Sequence, residues 1–280
     1  MQKDLHVEDD GLECPPVGAW AEEKYRLVSL YDELFATGMK DKWDERVYID
    51  LYAGAGFSRV RDTGAVLKSS AILALTVRNP FDKYIFCEKD SQLLAALKKR
   101  AERIAPTAAA EYVSGDCDAG VEEICSHIPK GSSRHTVLSL CFVDPFDFGF
   151  KFKTLKRLSS YYIDFLVLLA IGMDANRAYD HYVTGDSPKI DQALGNTEWR
   201  RRWEAVPHRD EFGSFLAEEF ISSMATLGYL RPPEMKLVRS DEKNLPLYYL
   251  ALFSRRQVAY NFWKEALNYG TDQQRFEFPG

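Results

Sequence analysis

Acidic, glycine and aromatic residues gather in this 280-residue sequence where apolar runs stop. Val47-Tyr48-Ile49 leads into Asp50-Leu51-Tyr52-Ala53-Gly54-Ala55-Gly56. Glycines at 54 and 56 let the backbone turn sharply and approach a ligand without a Cβ in the way. The acid at 50 suits a cationic or hydroxylated group of a cofactor. Glu88 closes the run Tyr84-Ile85-Phe86-Cys87, where a carboxylate accepts hydrogen bonds from both hydroxyls of a ribose. The run Thr136–Val143 ends in Asp144-Pro145-Phe146-Asp147-Phe148-Gly149. Pro145 fixes a loop lacking one donor. Asp144 and the Pro145 carbonyl are acceptors for an amine, and Phe146 is a stacking surface for a flat substrate. Each stretch also has a plain reading: an ordinary turn, a surface acid, a turn over buried aromatics.

Other chemistry is excluded by the same residues. A dinucleotide fingerprint needs a third glycine three places beyond Gly56, where Arg59 stands. No glycine-rich phosphate loop ending in Gly-Lys-Ser/Thr occurs. The five histidines are scattered without metal-ligand spacing. No two of Cys14, Cys87, Cys117, Cys125 and Cys141 share Cys-x-x-Cys spacing, so reduced thiols are expected, with no disulfide framework and no metal.

The elements that must position these residues alternate. Helical spacing covers Trp20–Phe35, Ser69–Arg78, Ser91–Ile104 (with Ser91 as N-cap and basic residues complementing the helix end), Ala119–His127 and Lys151–Tyr161. Short apolar runs at 47–53, 84–88, 111–114, 136–143 and 164–171 read as strands between them. That rhythm predicts a parallel sheet covered on both faces. Beyond Gly172 the chain turns polar to about Asp210, then a helix covers Phe212–Gly228. Met235–Arg239 and Leu247–Ser254 are joined too closely for a crossover and are expected to pair antiparallel, before a helix over Val258–Tyr269. Five parallel strands followed by such a hairpin is the arrangement of class I methyltransferases. The periodicity gives an α/β sheet with a mixed edge; the resemblance to that arrangement implies a Rossmann-like fold, a seven-stranded, mostly parallel sheet with an antiparallel edge hairpin and an inserted substrate-side segment. In that fold Ser114-Gly115-Asp116-Cys117-Asp118 holds the adenine edge of the cofactor. Asp116 or Asp118 is equally well placed to cap the helix that follows.

Asp144-Pro145-Phe146 resembles the Asp-Pro-Pro-Tyr motif of methyltransferases acting on the exocyclic amine of adenine. The whole chain is similar to a narrower group, the three-Cys-motif partner proteins (TcmP). The similarity lies at Trp20 with Lys24, at Tyr48–Gly56, at Ser69–Leu75, at Asp144–Phe146, at Gly172-Met173-Asp174-Ala175-Asn176-Arg177 and at Leu247-Tyr248-Tyr249-Leu250. Two departures stand out: Lys68-Ser69-Ser70 where Gly-Ser-Pro is expected, and Asp147 where glycine is expected. The second adds a negative charge beside the catalytic loop. The resemblance implies S-adenosylmethionine as cofactor, held by Asp50, Tyr52, Ala53, Gly54, Gly56, Glu88, Asp116 and Cys117. It implies catalysis at Asp144, Pro145 and Phe146, and substrate contacts at Lys24, Phe148 and Arg177. It also implies a partner carrying a three-cysteine motif. The expected activity is methyl transfer to an amine of a nucleobase or related molecule. The alternative is a non-catalytic interaction protein of that partner.

Composition sets the remaining bounds. Hydrophobic residues make up 46% and the net charge is −6, so nucleic-acid contact would rest on a local basic patch. Lys151-Lys153-Lys156-Arg157 and Arg200-Arg201-Arg202-Trp203 are the candidates, each equally readable as a solvated or salt-bridged face. No run is apolar enough to span a bilayer and no secretory signal is visible, so a cytoplasmic protein without membrane contact is expected. Residues 1–18 are expected to be flexible and 19–270 to form one domain, with a hairpin insertion at 57–68, an insertion at 172–211 and a tail at 271–280.

Overall fold

A computed structural model describes residues 4–147, 149–170, 183, 187–206, 211–239 and 246–276, without the side chains beyond 268. The chain runs β1 (His6–Val7), β2 (Pro16–Val17), α1 (Ala21–Met39), β3 (Glu45–Asp50), β4 (Phe57–Val60), β5 (Val66–Lys68), α2 (Ser70–Leu75), β6 (Lys83–Glu88) and α3 (Ser91–Ile104). Next come β7 (Ala110–Ser114), α4 (Val121–His127), β8 (Val137–Val143), α5 (Phe152–Leu158), β9 (Ile163–Leu169), α6 (Lys189–Leu194), α7 (Trp199–Trp203), α8 (Phe212–Thr226), β10 (Lys236–Arg239), β11 (Pro246–Phe253) and α9 (Gln257–Phe276).

The main sheet has the order β10-β11-β9-β8-β3-β6-β7. β3, β6, β7, β8 and β9 are parallel, and β11 lies antiparallel between β9 and β10. This is the expected Rossmann-like arrangement with a reversed strand near one edge. Every residue of β8 and β9 is buried, as befits central parallel strands covered on both faces. Alternation along β9 sends Phe165 and Val167 into one core layer and Leu166 and Leu168 into the other. The second layer contains α1, whose Leu27, Val28, Tyr31, Phe35 and Met39 recur at helical spacing. From β3 the chain builds outward through β6 to β7, then returns to β8 on β3's other side. That reversal makes the β3/β8 boundary the switch point at which open α/β sheets bind ligands.

A second sheet, ordered β1-β5-β4-β2, joins the hairpin after β3 to the N-terminal segment. Residues 4–18 are thereby joined to the hairpin through β1 and β2. Leu5 packs with Val60, Leu67 and Leu73, and Asp10 binds the guanidinium of Arg100. Asp90, not Ser91, caps α3, accepting from the amides of Gln92 and Leu93. Ser69 precedes α2 with no side-chain cap bond; its amide donates to the Gly56 carbonyl at 2.8 Å. Neither Asp116 nor Asp118 caps α4, which Gly120 precedes. α9 continues through Phe276 into the stretch expected as a tail. Of the insertion expected over 172–211, the described part holds the short helices α6 and α7. Among the described residues no helix is long and apolar enough to cross a membrane.

Candidate functional site

Asp50, Glu88, Ser114 and Val143 are the last residues of four adjacent parallel strands. The described residues singled out in the turns after them therefore meet along one edge of the sheet. The turn after β3 is held by neighbours on both sides: the Leu51 amide donates to Phe142 O at 3.1 Å and the Ala53 amide to Cys87 O at 2.9 Å. Gly54 and Gly56 take φ of 60° and 83°, the left-handed region that disfavours side chains. A Cβ on Gly56 would meet Ile72 and Leu97 at 2.9 Å, whereas one on Gly54 would meet no protein atom within 4 Å. Gly56 thus serves packing, and Gly54 presents bare backbone toward the open side of the turn.

Asp50 is wholly buried. Its Oδ1 accepts from the Tyr52 amide at 3.1 Å, while Oδ2 has no partner in hydrogen-bonding geometry. Burial pushes this carboxyl up to about 7, with the Ser70 hydroxyl and the Tyr52 amide pulling the other way. A buried carboxylate oxygen short of donors is an acceptor awaiting one. Glu88 is aimed by two backbone amides: Oε2 accepts from Gly54 and Oε1 from Asp90, both at 2.8 Å. Beside them half-buried Tyr52 lies against Cys117, whose thiol burial pushes up to about 12. The Cys87 thiol donates to Gly115 O at 3.4 Å. Asp116 accepts from the Asp118 amide at 2.9 Å, which folds a local turn and leaves its other oxygen facing Lys89 at 3.8 Å.

The loop after β8 meets α1. Lys24, only 3% exposed, places Nζ 2.5 Å from Asp144 Oδ2. Its ammonium also lies 4.5 Å from the Tyr25 ring centre and 5.2 Å from that of Trp20. Burial alone would depress this amine, but Asp144, supported by Tyr25 and Asp50, raises it above its ordinary value. Trp20 in turn packs edge-on to Tyr248 of β11 at 5.3 Å. Pro145 is buried, and Phe146 stands 96% exposed. The extra charge of Asp147 is met by Lys189 of α6, Nζ to Oδ2 2.7 Å. Phe148 and Arg177 lie outside the described residues. Among the described residues no group of His, Cys, Asp or Glu is gathered to hold a metal.

In the first basic cluster Lys151 Nζ lies 3.9 Å from Asp118, and in both clusters the arginines have acidic partners. Arg157 grips Glu122 with two bonds. Arg200 pairs with Asp191, Arg201 lies 3.7 Å from Glu198, and Arg202 binds Glu219, with Trp203 buried beneath. One positioning residue escaped the sequence reading. Arg100, read there as part of a basic helix end, is fully buried. It donates to Ala55 O at 2.7 Å, to Glu13 O at 2.8 Å and to Asp10, and lies over the Phe57 ring. It clamps the glycine turn to the N-terminal segment. The available signal was its place in the apolar stripe of α3 formed by Leu94, Leu97 and Ala101.

No protein-family model matches this sequence, and no curated protein matches it significantly. Solved structures do. LPL1258 of Legionella pneumophila, assigned to DUF519, matches at a TM-score of 0.55 and 13% identity, covering 91% of this chain and 92% of its own. Trm1 of Pyrococcus horikoshii, solved with S-adenosyl-L-methionine, matches at 0.44 and 11%, over 94% of this chain and 64% of its own. An O-methyltransferase of Bacillus cereus, solved with SAH, matches at 0.46 and 9%, over 81% and 80%. At 13% identity the likeness to LPL1258 is one of fold.

Proposed function

We propose that this protein is an S-adenosylmethionine-dependent methyltransferase acting on an amine of a nucleobase or a related flat molecule. The observation that carries the proposal is the meeting, at the switch point, of a donor-hungry Asp50, the bare backbone of Gly54 and the Lys24–Asp144 pair beside exposed Phe146. These features fit the cofactor. Asp50 Oδ2 offers an acceptor to its cationic end, Glu88 to its ribose hydroxyls, and Gly54 allows close backbone approach. Tyr52, Ala53, Asp116 and Cys117 line the rest.

When bound, the cofactor supplies an electrophilic methyl group on a positively charged sulfur. Phe146 stacks on the substrate plane. Asp144 and the Pro145 carbonyl accept hydrogen bonds from the amine and aim its lone pair at the methyl carbon. Asp144 and the Pro145 carbonyl also hold the surplus amine proton until it leaves to water. Catalysis on this reading is mainly orientation. Lys24 holds Asp144 in place and is the second group presented to the substrate.

Calorimetry with S-adenosylmethionine, followed by methyl-acceptance assays on nucleic-acid and small-molecule pools, tests the reading. Asp144→Ala should abolish transfer and keep cofactor affinity. Transfer at the wild-type rate by that variant would remove Asp144 from the mechanism. The resemblance to three-Cys-motif partner proteins adds a proposed partner bearing that motif, tested by co-purification from cells producing both chains.

A further inference from the structure

A cavity lies at the end of the sheet opposite to the candidate site, where β8 and β9 begin and α1 ends. It measures about 250 Å³. Phe35, Leu138 and Phe262 contribute apolar wall, and Trp43 and Tyr162 stand at one side with ring centres 4.9 Å apart. Asp164 lines it too. Strand alternation puts Asp164 on the same inward face as Leu166 and Leu168, where an apolar residue belongs, and it is only 6% exposed. No lysine, arginine or histidine stands within ion-pairing distance of it among the described residues. Burial pushes the carboxyl up to about 7, with the Ser254 hydroxyl, then Arg255 and Arg256, pulling it back. At the rim the Arg256 Nε donates to the Tyr162 hydroxyl at 2.6 Å, and neither Nη makes a hydrogen bond among the described residues. Lys42 beside it lies over Phe262, 5.9 Å from the ring centre, with no ion pair among the described residues.

A deep acceptor, an aromatic wall and a cationic rim form an ordered sequence of chemistries. The acceptor wants two N–H donors, the wall wants a flat ring, and the rim wants an anion. The volume falls below the 300–1,000 Å³ of sites that engulf a drug-sized ligand, so it takes a ring-sized head and leaves the tail at the rim. We infer that this cavity binds a guanine nucleotide: the base against Trp43 and Tyr162, its N1–H and 2-amino group donating to Asp164, and its phosphate on Arg256 and Lys42. Adenine offers its edge one donor and one acceptor, which a carboxylate cannot match twice. The site is separate from the strand ends that carry Asp50 and Asp144, and the inference does not rest on methyl transfer.

Titration calorimetry with guanosine, adenosine and xanthosine monophosphates on the full chain tests it. The wild type should bind GMP at least about tenfold more tightly than AMP, the value of one bidentate pair. Asp164→Asn exchanges an acceptor for a donor, so it should lose GMP affinity about tenfold and prefer XMP, whose 2-carbonyl accepts. Arg256→Ala should weaken GMP and leave guanosine unchanged, which a merely structural role would not do. Saturating S-adenosylhomocysteine should not displace GMP. Tighter binding of a trinucleotide ending in guanosine would identify the source as a nucleic acid; equal or weaker binding, a free nucleotide. Equal binding of GMP and AMP by the wild type, or no binding of either, overturns the inference. So does a folded Asp164→Asn protein with unchanged preference. If Asp164→Asn does not fold, the GMP/AMP ratio and Arg256→Ala decide alone.

Discussion

The ammonium of Lys24 sits 2.5 Å from Asp144 Oδ2, joining the first turn of α1 to a loop 120 residues further on. Both groups are largely withdrawn from water, so each alone is costly there. Lys24→Met and Asp144→Leu should each lower unfolding free energy by about 3 kcal/mol. The double variant should lose less than the sum, a coupling above ~1 kcal/mol in urea denaturation. Additive losses would mean the contact contributes nothing to the fold.

Asp50 makes stability depend on pH. Its carboxyl lies near 4 in the unfolded chain and is raised to about 7 in the folded protein. The folded state thus holds a proton that the unfolded state gives up. Stability from this group is fully present below pH ~4 and is lost as pH rises through about 7, by at most ~4 kcal/mol. Asp164, raised likewise, adds a slope of the same sign. Asp50→Asn should flatten the ligand-free curve between pH 5 and 8 and stabilise the protein at pH 8. A variant as pH-sensitive as the wild type would refute the assignment.

The two glycines of the turn after β3 should respond differently. Gly54→Ala meets no protein atom and carries only the left-handed backbone penalty, about 1–2 kcal/mol. Gly56→Ala adds contacts at 2.9 Å with Ile72 and Leu97 and should cost more, by thermal unfolding. Cofactor affinity should rank the other way among folded variants, with Gly54→Ala the more damaging.

Phe146 is 96% exposed, so Phe146→Ala should change stability by no more than about 0.5 kcal/mol. Substrate affinity should fall by the value of one stacked base, about 1–3 kcal/mol. A variant that binds acceptor normally removes stacking from the proposal.

The sheet was legible because β8 and β9 are almost wholly apolar runs, whose burial needs helices on both sides. The edge of the site was legible because Asp50, Glu88 and Asp144 each close such a run. The N-terminal segment was not. Its strands are two residues long, and what fixes it is the binding of Asp10 by Arg100, ninety positions away. No local pattern encodes a contact of that separation. Arg100 itself was visible only as a charge in the wrong stripe of α3. Asp164 carries the same kind of signal, a charge at an inward position of an otherwise apolar strand.

The insertion of β11 between β9 and β10 has a consequence for synthesis. β9 is complete at Leu169, yet its second flank is not covered until Pro246–Phe253 have emerged from the ribosome. Throughout that interval a nascent chain displays an open, almost wholly aliphatic strand edge, an invitation to pair with any other extended chain. Yield of properly folded protein should therefore track the supply of holding chaperones during translation more steeply than the stability of the finished molecule.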